Sequence, residues 1–147
     1  MWNFGVMLWD LLAGKELFLG GQSEEKQYSA AHHLAEMIAL IGPVPLALLQ
    51  RERERRHWRW APAIPNAQGI LCNSAAGYFG GPFFSDNGKF KHESLIPFHR
   101  RLINELPDCI AAEEKELFLN FMKRMLCWLP EERVTAKELL NDPWLAL

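Results

Sequence analysis

The apolar residues between Trp2 and Ala13 do not keep to one stripe: Trp2, Phe4, Val6, Met7, Leu8, Trp9, Leu11 and Leu12 fall all round a helical wheel. A helix that is apolar on every side belongs at the centre of a protein or in a membrane. A membrane span needs about 20 apolar residues, and this run is shorter and interrupted by Asp10. No basic segment precedes it and no small-residue cleavage site follows, which argues against a signal peptide. The pattern predicts a buried central helix stopped by Gly14, with Lys15 near its C-terminal end.

Beyond a short connector with a glycine pair at Gly20 and Gly21, the polar run from Ser23 to Ala30 reads as a surface loop. From Ala31 to Ile41 the pattern turns helical, because Leu34, Met37, Ile38 and Ile41 share one face. Gly42-Pro43 ends that helix, and Pro45 can open a short one through Leu46, Leu48 and Leu49. Pro62, Pro65, Asn66 and Gly69 make 61–70 irregular. The stretch 73–86, with Gly77, Gly80, Gly81 and Pro82 beside Tyr78, Phe79, Phe83 and Phe84, reads as a loop anchored by aromatics. Asp86-Asn87-Gly88 is a turn signal.

An amphipathic helix is predicted from Leu95 to Leu106, ended by Pro107. A stronger one runs from Glu113 to Trp128, with Leu117, Phe118, Phe121, Met122, Met125, Leu126 and Trp128 on a wide apolar face. Glu113, Glu114 and Glu116 sit in its first turn, where the helix dipole favours acids. Thr135-Ala136-Lys137-Glu138 has the form of a capping box opening a short helix to Leu140. Asn141-Asp142-Pro143 stops it, leaving Trp144 and Leu145 to pack back on the core. The fold class is mainly α.

Composition narrows the function classes. At 147 residues the chain can form one domain with a real core. A net charge of −2 argues against a nucleic-acid-binding protein. Cys72, Cys109 and Cys127 are odd in number and far apart, which fits reduced thiols and an intracellular location in cytoplasm or nucleus. No CxxC or HxxxH spacing points to a metal. The run Arg51-Glu52-Arg53-Glu54-Arg55-Arg56-His57-Trp58-Arg59-Trp60 could offer a basic-aromatic surface to nucleic acid. Its two glutamates favour a solvated helix instead, with Glu52 and Arg56 paired one turn apart. The glycine-rich stretch lacks a lysine at P-loop spacing, which argues against phosphate binding. His32, His33, His57, His92 and His99 share no spacing and no nucleophile, and read as surface residues.

Two terminal motifs then add a resemblance. Trp2-Asn3-Phe4-Gly5 followed by Leu11-Leu12-Ala13-Gly14-Lys15-Glu16-Leu17-Phe18 resembles the central helix of the protein kinase C-terminal lobe, the Asp-x-Trp-x-x-Gly region. Leu129-Pro130-Glu131-Glu132-Arg133-Val134-Thr135 through Asp142-Pro143-Trp144-Leu145 resembles that lobe's closing motif. His33-Leu34-Ala35-Glu36-Met37-Ile38-Ala39-Leu40-Ile41-Gly42-Pro43-Val44-Pro45 is similar to the helix and following insert of the CMGC group. Gly88-Lys89-Phe90-Lys91-His92 and Leu95-Ile96-Pro97-Phe98 look most like the insert of serine/arginine-rich protein kinases. The resemblance implies the distal half of a kinase C-lobe over 1–147, from central to last helix, with an irregular insert over about 43–107.

The resemblance also sets expectations for chemistry. Kinases use ATP and Mg²⁺, held by a glycine-rich loop, a strand lysine, a catalytic-loop aspartate and a DFG aspartate. This sequence has no GxGxxG, HRD or DFG, so no catalytic, cofactor-binding or metal residue can be assigned. The chain by itself is expected to lack phosphotransferase activity. The matched residues Trp2, Gly5 and Arg133 are structural. Arg133 corresponds to an arginine that pairs with the glutamate of an APE motif, which this chain lacks. It is expected to turn to solvent or to be taken up by Glu131 or Glu132, leaving the isolated chain marginally stable. In serine/arginine-rich protein kinases an acidic groove grips arginine-rich peptides. Here His32 and Ala39 stand where acids are expected and Phe98 where a tryptophan is expected, so such docking should be lost. Two readings follow: part of a serine/threonine kinase, or a non-enzymatic interaction module or pseudokinase-like partner of an intact kinase, engaging a protein partner through an apolar face around Trp2 and Trp9. Neither calls for nucleic acid or a membrane.

Overall fold

Apolar residues at helical spacing form the core wherever another element lies close enough to cover them, and that condition picks out the second strong helix rather than the first. The computed structural model describes residues 1–20 and 28–146. The loop expected from Ser23, up to Gln27, and Gly21 of the glycine pair lie outside the described residues. The elements in order are helices α1 (Trp2–Ala13), α2 (Ala30–Ile41) and α3 (Leu46–Arg55), strands β1 (Ile64–Pro65) and β2 (Leu71–Cys72), and helices α4 (Ala75–Phe79), α5 (Lys115–Lys123) and α6 (Ala136–Leu139). Short 3-10 turns cover Glu93–Leu95, Leu102–Glu105, Pro130–Glu132 and Pro143–Ala146. The fold is mainly helical, as the apolar periodicities predict.

The core gathers on α5. Phe118, Leu119, Phe121 and Met122 are buried there, joined by Met125 and Leu126, by Trp9 and Leu17 from one side and by Leu40, Leu102, Ile110 and Leu139 from others. Helix α1 is therefore flanking rather than central. Only Gly5 and Trp9 are buried along it, one turn apart on the same face. Phe4, Met7 and Leu11 are 44%, 50% and 72% exposed and make an open apolar stripe. A helical wheel states how apolar each side is, not whether a neighbour exists to cover it. Gly14 ends the helix in the left-handed conformation, φ 63°. Asp10, which interrupts the apolar run, turns inward: its Oδ1 accepts the Leu17 backbone N–H at 2.7 Å and draws the connector back over the helix.

Gly5 sets how closely α1 approaches the end of α5. A Cβ there would stand 3.1 Å from Met125 Cβ and 3.2 Å from Leu126 Cδ2. Alanine is favoured over glycine inside a helix by about 1 kcal/mol, but overpacking costs about 1–3 kcal/mol, and Met125 Cβ is too near its own backbone to swing aside. Gly5→Ala is expected to be net destabilising by about 1 kcal/mol, read as a lower urea midpoint. A raised midpoint would mean that α1 separates easily from α5.

Other expectations meet the geometry with mixed results. Helix α2 runs as predicted, with the Ser29 side chain accepting from His32 N–H. Pro45 precedes α3 as its cap rather than entering the first turn, and α3 continues through the charged run to Arg55. The Glu113–Trp128 helix is shorter than expected because its last carbonyls are claimed from outside. Val134 N–H donates to Arg124 O at 3.2 Å, and Arg133 donates to Cys127 O and Trp128 O. The predicted Leu95–Leu106 helix does not form. Pro97 drives Ile96 to an extended conformation, φ −70° and ψ 118°, and Arg101 is extended as well. Two 3-10 turns replace the helix, and of its apolar face Leu102 is buried while Ile103 and Phe98 are exposed.

The irregular stretch 61–70 contains one strand of a small antiparallel hairpin, Ile64 opposite Cys72 and Pro65 opposite Leu71. Asn66 Oδ1 closes it by accepting from the Gln68 and Ile70 N–H groups. Within 73–86 the chain forms α4 rather than a plain loop, capped by Ser74 at Gly77 N–H and ended by Gly80 at φ 77°. The Asp86-Asn87-Gly88 turn forms, with Phe84 and Phe90 bridged across it. The capping box is complete in both directions. Trp144 packs on Phe118 and Phe121, with ring centroids 5.0 and 4.9 Å away, whereas Leu145 is half exposed.

Candidate functional site

The motif residues Trp2 and Arg133 come from opposite ends of the chain and meet, while Gly5 on the same helix as Trp2 faces Met125 and Leu126. The Arg133 guanidinium lies 5.0 Å from the centroid of the Trp2 ring, a distance at which a cation is attracted to the aromatic face. Trp2 is stacked on Phe18 at 5.8 Å with 17° between the planes. Arg133 Nε donates to Cys127 O at 3.1 Å and its terminal nitrogen to Trp128 O at 3.1 Å. Arg133 therefore neither turns to solvent nor pairs with Glu131 or Glu132: two carbonyls and a ring hold it half-buried. Glu131 instead pairs with Arg51 of α3. The hydrogen bond from that guanidinium holds the Glu131 carboxyl down to about 2. Trp2 and Trp9 do not form an open face either. Trp2 is covered by Phe18 and Arg133, Trp9 is fully buried, and the open apolar face of α1 is that of Phe4, Met7 and Leu11.

A second charged cluster has no counterpart in the sequence reading. Arg100 donates to Glu36 Oε1 at 3.0 Å, to Glu105 Oε1 at 3.1 Å and to Leu17 O at 2.8 Å. Lys15 reaches the other Glu105 oxygen at 3.2 Å, and Glu36 Oε1 also accepts from Leu19 N–H. Burial pushes the Glu105 carboxyl up, but the hydrogen bonds from Lys15 and Arg100 outweigh it and hold it below its ordinary range. The cluster ties the connector after α1 to α2 and to the chain before α5. One signal of it was present: Glu36 stands one turn from Leu40, a carboxylate on a face that the core must cover. Its arginine, 64 positions away, had none.

His32, Ala39 and Phe98 do not assemble into a charged groove. His32 turns back on Ser29, its Nδ1 lying 3.0 Å from Ser29 Oγ. Ala39 is half-buried on α2, and Phe98 is 77% exposed. His33 is not a surface histidine. Its ring lies 5.4 Å from Phe18 and 5.8 Å from Tyr28, and its Nδ1 is 3.3 Å from Tyr28 Oη. Burial lowers its pKa below the ordinary 6.5, against a smaller opposing pull from Glu36. A folded-state value below the unfolded one means the unfolded chain takes up the proton first. The stabilisation is therefore complete above about pH 6.5 and is lost as pH falls through the folded value. The melting temperature is expected to drop between about pH 7.5 and 5.5, and His33→Phe should flatten that step. An unchanged slope in the variant would clear His33 of the effect.

The charged helix α3 behaves as a solvated, paired surface. Arg56 meets Glu52 at 2.8 Å and Asp86 at 3.4 Å, and Arg53 donates to Asp86 O at 2.6 Å. Among the described residues no three His, Cys, Asp or Glu side chains gather as a metal site. The thiols are dispersed: Cys72 is buried, Cys127 half-buried and Cys109 exposed. No described helix is long and apolar enough to cross a membrane. The chemistry on view is positioning, by ion pairs and carbonyl-bound guanidinium groups that fix helices relative to one another.

Comparison with known sequences gives this scaffold its family. The sequence profile of the protein kinase domain matches residues 1–145. The chain belongs to the protein kinase domain family. A serine/threonine protein kinase of Aspergillus fumigatus is 33% identical to this kinase-family chain over 146 residues, covering 99% of the chain and 30% of the relative. Dual specificity tyrosine-phosphorylation-regulated kinase 3 of Homo sapiens is 29% identical over 148 residues, covering 99% of the chain and 22% of the relative. The chain thus spans less than a third of the length of these relatives.

Proposed function

We propose that the chain is the distal half of the C-terminal lobe of a CMGC serine/threonine protein kinase, most like the serine/arginine-rich protein kinases, and that it serves ATP-dependent protein phosphorylation as scaffold. In this reading α1, which flanks the core of these residues, is the helix that becomes central once the remainder of a kinase domain covers Phe4, Met7 and Leu11; α6 and the final turn are the lobe's end, and about 43–107 is the insert. What carries the reading is the contact of Arg133 with Trp2. It joins the two motifs at opposite ends of the kinase match in one packed unit. The exposed stripe of Phe4, Met7 and Leu11 supports it further, as a surface suited to the remainder of a kinase domain. ATP and Mg²⁺ belong to the whole enzyme, which works in cytoplasm or nucleus.

The 147 residues alone do not turn over ATP, because no GxGxxG, HRD or DFG segment is among them. Purified chain incubated with Mg²⁺-ATP and an Arg-Ser repeat peptide should show no phosphate transfer above the blank. Transfer that a single substitution in the chain abolishes would overturn the reading. The same peptide should show no salt-sensitive micromolar binding, since His32, Ala39 and Phe98 offer no carboxylate. The same stripe also suits a non-enzymatic module that covers it with a protein partner. Kinase-coding sequence in frame ahead of the Met1 codon separates the first reading from the second.

A further inference from the structure

A concave region of about 770 Å³ lies among α2, α3, α4 and the chain around Phe83 and Trp128. That volume falls within the range of small-molecule sites, about 300–1,000 Å³. Its lining is mostly apolar, with Met37 from α2, Leu48 from α3, Phe79 from α4, and Phe83 and Trp128 among it. The charged side chains lining it, Arg51, Glu52, Arg55 and Arg56, all come from the last two turns of α3 and the residue after it. Three are guanidinium groups. Arg51 is paired with Glu131, and Arg56 with Glu52 and Asp86. Arg55 has no ion pair among the described residues and is exposed.

We propose that this cavity binds a single-chain anionic amphiphile, a long-chain carboxylate whose alkyl chain fills the apolar interior and whose head group meets Arg55. The lining favours an alkyl chain over a peptide. A peptide brings backbone N–H and C=O groups that must find partners when buried. Two polar side-chain atoms of the lining are already engaged: Trp128 Nε1 donates to Gly42 O at 3.0 Å, and Tyr28 Oη lies 3.3 Å from His33 Nδ1. An alkyl chain asks for none. A carboxylate on the Arg55 guanidinium, which has no pair among the described residues, gains charge-assisted hydrogen bonds and leaves the existing pairs of Arg51 and Arg56 undisturbed. The inference does not depend on the kinase reading.

Calorimetric titration of the full chain with laurate tests it, beside dodecyl maltoside as an uncharged and dodecyltrimethylammonium as a cationic amphiphile of equal chain length. Saturable binding of one laurate per chain is expected, weakened roughly tenfold or more by Arg55→Glu. Ala75→Trp, at an exposed residue lining the cavity, should abolish it by filling the space. Both substitutions are at exposed positions, and circular dichroism confirms the fold of each. If either is misfolded, Arg55→Gln takes its place and should weaken laurate without affecting the uncharged amphiphile. The proposal is overturned if the three amphiphiles bind alike, if laurate adds without saturation, or if Arg55→Glu and Arg55→Gln bind as well as the parent. Capture of the chain by an acidic peptide, or by anionic vesicles that laurate does not displace, would equally overturn it.

Discussion

Trp9→Ala is expected to lower the unfolding free energy by about 3–5 kcal/mol, the range for removing a fully buried tryptophan. Trp9 has no exposed surface. Its ring lies 5.5 Å from that of Phe118, which is 5.0 Å from Trp144, which is 4.9 Å from Phe121. That run of rings joins α1, α5 and the final turn, so the cavity left by alanine would open where three elements meet and none can collapse alone. Domains have about 5–15 kcal/mol in total, so the variant should sit near its transition at room temperature. Urea unfolding followed by circular dichroism should show a large fall in midpoint at little changed slope. Leu11→Ala is the matched control. Leu11 lies on the same helix but is 72% exposed, and its loss should stay within about 0.5 kcal/mol. Equal losses for the two would mean that α1 is buried all round after all.

The contrast between those residues marks where the sequence is legible. Local chemistry reads well. Gly14 ends α1, the Thr135–Glu138 box caps α6, and the Leu34–Ile41 periodicity forms α2, because each depends on neighbours a few positions away. What depends on distant partners reads poorly. Nothing near Leu11 announces that its side of α1 lacks a cover, and nothing near Arg133 announces that Trp2 will lie over its guanidinium. The Leu95–Leu106 helix fails for a local reason that was present but outweighed. Its apolar spacing is helical, yet Pro97 stands inside it and excludes Ile96 from helical geometry. The family motifs succeeded in bringing Trp2, Gly5 and Arg133 into one list without pairing them. For His32, Ala39 and Phe98 the motif alignment gave chemistry without a shape, and the three do not line the cavity that the fold provides.

The second large effect belongs to Arg100, the residue that no motif marks. Glu36 is buried, with only 10% of its side chain exposed, and its Oε2 has no hydrogen-bond partner among the described residues. Its charge is tolerated because Arg100 stands 3.0 Å from its other oxygen. Replacing Arg100 with methionine keeps much of the stem and removes the charge. The expected cost is about 3–5 kcal/mol, because an ionised carboxylate is left without its counter-charge in a buried place. Glu36→Met should cost less, since Arg100 is more exposed and retains Glu105 and the Leu17 carbonyl. The double variant should be more stable than Arg100→Met alone, because exchanging a buried pair for apolar groups of similar volume is often neutral or favourable. A double-mutant cycle on urea unfolding measures that coupling directly. The unpartnered Oε2 argues that the pair contributes little net stability. Its effect is to fix geometry, since a single guanidinium bonded to Glu36, Glu105 and Leu17 O ties the 15–19 connector, α2 and the 100–105 segment to one another. If Arg100→Met costs less than about 1 kcal/mol, water already screens Glu36 and the cluster does not clamp those three segments.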